Sequence, residues 1–255
     1  MDWVSLSEAR RMSGLRIALL RNGGPSPWGQ AARNLFEIKG IPFRRAARAD
    51  SDPPELLEEW TGQASFPVVA YEDERPRAGW AEILLLAERL SPKPALIPAD
   101  ARERALLFGL AHEICGEQGL GWCYRLMLLA RILDGPSPPP ETRVFARKYG
   151  FTTEAARAAP ARVTAILRLL ADQLQRQRAA SRRYLVGEGL SALDVYWATF
   201  ANMLDPLPRE LLPMDDGLRA LLGAPPAEVQ SALDPELQAH RDFVFRAHLR
   251  LPVEL

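Results

Sequence analysis

The spacing of apolar residues changes character once along the chain. Residues 15–20 form a short apolar run of strand type, residues 30–40 carry a helical pattern that Gly40 stops, and residues 42–47 read as a second extended run. Strand, helix and strand in that order predict a parallel pair joined by a crossover helix. Residues 53–60 predict a short helix, and residues 66–71 with a weaker run near Pro76 flank the acidic turn Glu72-Asp73-Glu74 as a hairpin would. Trp80, Ile83, Leu84 and Ala87 then recur at i, i+3, i+4 and i+7, which gives a helix one apolar face to lay on a sheet.

Beyond Leu90 the strand pattern stops. Prolines at 92, 94 and 98 mark a linker over 93–100, and everything after it reads as helix. One long helix is predicted over 101–133, ending at the proline-rich connection 134–142, and Val163, Ile166, Leu167, Leu170 and Leu174 trace the face of a second. A third begins near Ser191 and is apolar nearly all round, through Val195, Tyr196, Trp197, Phe200, Met203 and Leu204, so it belongs at the centre of the helical part. Ser191-Ala192-Leu193-Asp194 specifies its start as a shortened capping box, with Leu190 and Val195 at the positions of a hydrophobic staple. The pattern predicts an α/β domain with a mixed sheet over 1–92, of which 1–13 are an N-terminal extension, and an all-α helical-bundle domain over 101–255.

Composition narrows the function. At 255 residues, 47% hydrophobic and 25% charged, the chain is long enough for two cores. Its 32 basic residues are balanced by 32 acidic ones, so no global field draws in nucleic acid or a membrane surface, and neither is expected as a partner. No uncharged apolar run reaches the roughly 18 residues of a membrane span, and the charged amino end fits no signal or transit peptide, which predicts a cytoplasmic protein. Cys115 and Cys123 fall in one predicted helix and cannot pair there, so free buried thiols are expected. His112, Glu113, Cys115 and Glu117 cluster without any metal-ligand spacing, so no metal is expected.

Candidate chemistry sits in the turn Gly24-Pro25-Ser26-Pro27-Trp28-Gly29. Serine followed by proline is a favoured pair for the N-cap and first position of a helix. A hydroxyl at a helix start can also donate to a thiolate and lower its pKa, with help from the dipole. From the residues alone both roles for Ser26 stand open.

The order of these parts resembles the glutathione transferase superfamily. Ser26-Pro27-Trp28 with Arg33 and Lys39-Gly40-Ile41-Pro42 resembles the family's first strand-helix-strand unit. Phe66-Pro67-Val68-Val69 sits where the family has its cis-proline, and Ser191 to Asp194 resembles the cap buried in its second domain. The stretches 106–129 and 240–252 are similar to a bacterial branch. The resemblance implies a thioredoxin-like first domain, a homodimer, glutathione as co-substrate and a small-molecule electrophile as the other substrate. It implies Ser26 as the catalytic residue and Trp28, Phe66, Pro67, Gly79 and Trp80 as the glutathione-binding set. His112, Cys115, Trp122 and Tyr124 are the candidates for an electrophile pocket in the helical domain. One departure stands out: the family usually holds the γ-glutamyl end with Glu-Ser or Asp-Ser, and here Ala78-Gly79 occupy that place. A helix start at Gly79 would offer backbone amides and a dipole instead. The same departure would suit a non-catalytic binding or scaffolding protein that kept the fold. A disulfide oxidoreductase is not expected, because the turn carries no cysteine.

Overall fold

In the computed structural model, which describes residues 3–21 and 26–254, the chain divides into two units. One is made of residues up to Leu96 together with Glu254, the other of Ile97–Val253.

The first unit begins with two elements absent from the sequence pattern, β1 (Trp3–Ser5) and α1 (Leu6–Arg11). Three residues are too few to display an alternation. The local chemistry is nonetheless specific, because Ser5 and Glu8 form a capping box in which each backbone N–H meets the other's side chain, at 2.7 Å and 3.1 Å. Asp52 then accepts from the amides of Leu6 and Ser7, and Leu6 and Ala9 are fully buried. The stretch expected as an extension is thus part of the unit's core.

β2 (Leu15–Ala18), α2 (Pro27–Ile38) and β3 (Arg44–Ala47) make the expected parallel pair with its crossover helix. α2 starts three residues earlier than the apolar pattern does, because Ser26 and Pro27 supply its N-cap and first position. α3 (Leu56–Thr61), β4 (Val68–Tyr71) and α4 (Trp80–Leu90) follow. The sheet order is β1-β3-β2-β4, with β4 alone antiparallel, and the run expected near Pro76 contributes a single bridge, Arg77 to Val69.

Two charged clusters tie this unit together. Lys39 is buried, and its ammonium reaches Glu88 at 2.6 Å and the carbonyls of Ser91 and Pro94 at 2.7 Å and 2.8 Å. Three bonds match its three donors. The end of α2 is thereby fastened to the segment leaving α4. At the chain's other extremity, the Glu254 carbonyl accepts from buried Arg33 at 2.8 Å and its carboxylate pairs with buried Arg45.

The second unit is helical: α5 (Ala101–Cys115), α6 (Leu120–Leu133), α7 (Pro140–Lys148), α8 (Thr153–Ala179), α9 (Ala192–Ala201), α10 (Asp216–Leu222), α11 (Ala227–Ser231) and α12 (Pro235–His248). Every residue of α9 is buried, as its all-round apolar pattern predicts, and it packs against α5 and α12. The single helix expected over 101–133 is in fact two. Between them Gln118 adopts a left-handed φ of +59°. A Cβ on Gly116 would lie 2.4 Å from the His112 ring, and one on Gly119 would lie 2.7–2.9 Å from three carbonyl oxygens. The break depends on glycine for close approach. It also places Cys115 and Cys123 on separate helices, both free and buried.

At the end of α12, His248 Nε2 lies 3.1 Å from the Tyr184 hydroxyl. Burial pushes this imidazole below its ordinary value, Asp194 opposes that push, and Arg183 and His240 add to it. Below about pH 6.5 the unfolded chain therefore takes up a proton at this position before the folded chain does. The stability present above that pH is lost as pH falls toward the lowered folded value. We expect the drop in Tm between about pH 7.5 and about pH 5.5 to be smaller in His248→Gln than in the native protein. Equal drops in thermal scans would remove His248 from the pH response.

Candidate functional site

Register brings three segments to one end of the sheet. Ala18 stands opposite Val68, so the exit of β2 toward α2 lies beside the entry to β4. Arg77 stands opposite Val69 in an antiparallel bridge, and two residues further on Gly79 is level with Pro67. Ser26, Phe66-Pro67 and Gly79 therefore border the same end. Gly24 and Pro25, which open the candidate turn, lie outside the described residues.

Ser26 caps α2 with a long bond, its Oγ accepting from the Gly29 amide at 3.4 Å. Gly29 lets the helix start close to β2, since a Cβ there would come within 3.2 Å of Leu19. No acidic residue lies in the first turn of α2, so the positive end of its dipole carries no neutralising charge from its own helix. Trp28 in this turn is half-buried. Gln30 beside it is 6% exposed, and neither end of its amide has a hydrogen-bond partner among the described residues. Buried amides are normally paired, so this one is unusual in the turn. Nothing in the sequence singles it out, because glutamine in a first helical turn reads as solvent-facing.

The Phe66–Pro67 bond is cis, as the resemblance implies. Phe66 and Ala78 both pack, partly buried, on the apolar cluster that contains Leu6, Ala18, Ala46, Leu57 and Val68. Gly79 is the N-cap of α4 and supplies no side-chain cap. The first helical residue, Trp80, is half-buried. A Cβ at Gly79 would lie 3.2 Å from Glu82 Oε2, so the Glu82 carboxylate leans over the helix start while its other oxygen sits 2.6 Å from Arg75. Glu82 is not a candidate on sequence grounds. It becomes one only because a helical turn returns it to its own N-terminus.

The helical unit's candidates disperse. His112 is exposed near the end of α5, its ring against Gly116. Cys115, at the end of that helix, is 4% exposed, and burial pushes its thiol well above the ordinary value. On α6, Trp122 meets Tyr149 edge to face with centroids 4.8 Å apart. Tyr124 is 1% exposed, and its hydroxyl donates to the Leu222 carbonyl at 2.5 Å. Burial pushes its pKa up to about 12. Two residues apart on one helix, Trp122 and Tyr124 serve different neighbours.

Among the described residues no group of His, Cys, Asp and Glu is arranged to hold a metal ion, and no helix is long and apolar enough to cross a membrane.

Neither protein-family models nor curated protein sequences match the chain. Solved structures do. The chain is similar to a glutathione S-transferase from Methylobacterium radiotolerans in complex with glutathione sulfonate, at 17% identity and a TM-score of 0.60, covering 93% of each chain. It is similar to Ure2p in complex with glutathione, at 13% identity and a TM-score of 0.62, covering 92% of this chain and 95% of that one. Rice GST1 in complex with glutathione gives 20% identity and a TM-score of 0.61, covering 94% and 91%. Likeness at this level of identity is likeness of architecture. A mixed sheet with a cis-proline at the head of its antiparallel strand, followed by a helical unit around a buried capped helix, is the glutathione S-transferase fold, and this chain has it.

Proposed function

We propose that the chain binds glutathione at the end of its sheet and presents the thiolate to a small-molecule electrophile. One observation carries this reading: an acid-free helix start at Ser26, the cis Phe66–Pro67 bond and the start of α4 at Gly79 border the same sheet end. The neighbours solved with glutathione or its sulfonate share this architecture.

Each part of the tripeptide then has a counterpart. Phe66, two residues ahead of the last paired position of β4, offers its backbone to the cysteinyl segment in the manner of an added strand. The start of α4 takes the γ-glutamyl carboxylate through its dipole. Glu82 supplies the negative charge that the ligand's ammonium needs, in place of the missing Glu-Ser pair. Trp28 and Trp80 flank the two helix starts. The Ser26 hydroxyl donates to the sulfur, and with the α2 dipole it favours the thiolate, the thiol proton passing to solvent. The sulfur lone pair forms the new bond to the electrophilic carbon. A leaving group departs with the old bonding pair or, in an addition, the resulting carbanion takes a proton. A cytoplasmic homodimer belongs to the same proposal, its assembly measurable by light scattering.

Ser26→Ala tests the reading. With the cap bond at 3.4 Å, the stability lost should fall near the low end of the range for caps, about 0.5 kcal/mol. The pKa of the bound thiol, followed by its ultraviolet thiolate band, should rise by about one unit, and neutral-pH turnover of a model electrophile should fall about tenfold per folded molecule. Unchanged thiol pKa and turnover, in a protein that binds glutathione, would leave Ser26 as a cap alone. A binding or scaffolding role is favoured by Ala78-Gly79 standing where the family has its Glu-Ser pair, with Ala78 packing into the apolar cluster. Absence of glutathione binding by the native protein would select that reading.

A further inference from the structure

The end of α8, the loop after it and the first turns of α12 border an open depression of about 310 Å³, with Arg178, Ser181 and Arg183 exposed. Its wall includes Arg178, Ser181, Arg182, Arg183, His240 and Phe243, and no acidic residue. The three arginines are held differently. Arg178 is braced by Glu236, and Arg182 by Glu103 at 2.5 Å with Glu188 at 3.9 Å. Arg183 has no carboxylate partner among the described residues. Its guanidinium carbon lies instead 3.6 Å from the centroid of the Phe243 ring. A guanidinium held on an aromatic face keeps its N–H edges available and loses little freedom on binding.

The loop is fixed as well. Arg182 N–H bonds to Gln177 O and Ser181 N–H to Arg178 O, both at 2.9 Å, which closes a Schellman motif at the end of α8. That motif puts Ser181 in the left-handed region, at φ +57°, a position that favours glycine. Ser181 is itself one of the lining residues, so its side chain can offer a hydroxyl there. Opposite it, His240 is 2% exposed and oriented through Nε2 by Asp194 Oδ1 at 2.8 Å.

We propose that this depression binds the phosphate group of a small phosphate monoester, with Arg183 and Ser181 as its principal donors. Guanidinium groups donate only, so the ligand must accept. A carboxylate fills one guanidinium fork, whereas the three oxygens of a phosphate can engage more than one. The volume leaves room for a small organic body beside the phosphate. The site lies wholly in the helical unit and is independent of glutathione binding.

Calorimetric titration of the full chain with inorganic phosphate at low ionic strength tests it, with benzoate as the carboxylate control. The expected result is saturable phosphate binding that weakens at least tenfold in Arg183→Gln, with benzoate weaker than phosphate. Ser181→Gly separates a binding role from a structural one. Glycine suits the left-handed position, so its Tm should rise while phosphate affinity falls. Absence of saturation by roughly 10 mM phosphate, equal affinity in Arg183→Gln, or unchanged affinity in Ser181→Gly would overturn the proposal.

Discussion

Asp194→Ala is expected to remove about 3–5 kcal/mol of unfolding free energy, well beyond the roughly 0.5–2 kcal/mol of an ordinary helix cap. The carboxylate is fully buried. One oxygen accepts from Ser191 N–H at 2.9 Å and Ser191 Oγ–H at 2.6 Å, the other from Leu185 N–H at 2.8 Å and His240 Nε2 at 2.8 Å. It therefore fixes the start of α9, the segment leading to it and a side chain of α12 at once. Truncation leaves two buried backbone donors and a buried imidazole without their acceptor, each carrying its own desolvation penalty. Asp194→Asn should be nearly as damaging, because an amide nitrogen would face donors in place of one acceptor oxygen. Denaturant midpoints measure the effect. A loss of less than about 2 kcal/mol would reduce Asp194 to a cap.

Gly119→Ala should cost about 3 kcal/mol. The added methyl would meet the carbonyl oxygens of Glu113, Gly116 and His112 at 2.7–2.9 Å, and all three are backbone atoms with no flexible end to yield. Gly109 provides the contrast. It lies within α5, and a methyl added there would meet nothing within 4 Å, so Gly109→Ala should gain up to about 1 kcal/mol from helix propensity. Paired chemical denaturation of the two variants checks the sign as well as the size. Similar destabilisation in both would show that helix packing, and not the turn, sets the response.

Those two sites also mark where the sequence is readable. The capping box at Ser191 and Asp194 is a local signature, and so are the Ser26-Pro27 start and the parallel crossover after residue 15. His240, the other half of the Asp194 assignment, lies 46 residues further on, and only packing of α12 brings it in. The split of the long helix is obscured because buried apolar positions continue on both sides, Leu107, Leu110 and Ile114 before it and Leu120, Cys123 and Met127 after it. Gly116 and Gly119 are the punctuation, and their meaning is steric. β1 escapes notice because its partner β3 is some forty residues away and it has only three residues. The site divides in the same manner. Ser26, Phe66-Pro67 and Gly79 carry motifs, whereas Gln30 and Glu82 gain interest only from burial and from the turn of a helix. Arg182 and Arg183 carry no motif, and Arg183 gains interest only from the Phe243 ring beneath it.

The contacts of Glu254 with Arg33 and Arg45 give the chain a property of inheritance. The first unit is discontinuous in sequence, built from the beginning of the chain and from a residue near its far end. A recombination event that exchanged the helical segment alone would have to deliver a compatible tail with it. Otherwise the two buried guanidinium groups, Arg33 and Arg45, would lose the acceptor that Glu254 supplies. The two units are distinct in structure, yet the helical segment can be exchanged only together with a residue that serves the first unit.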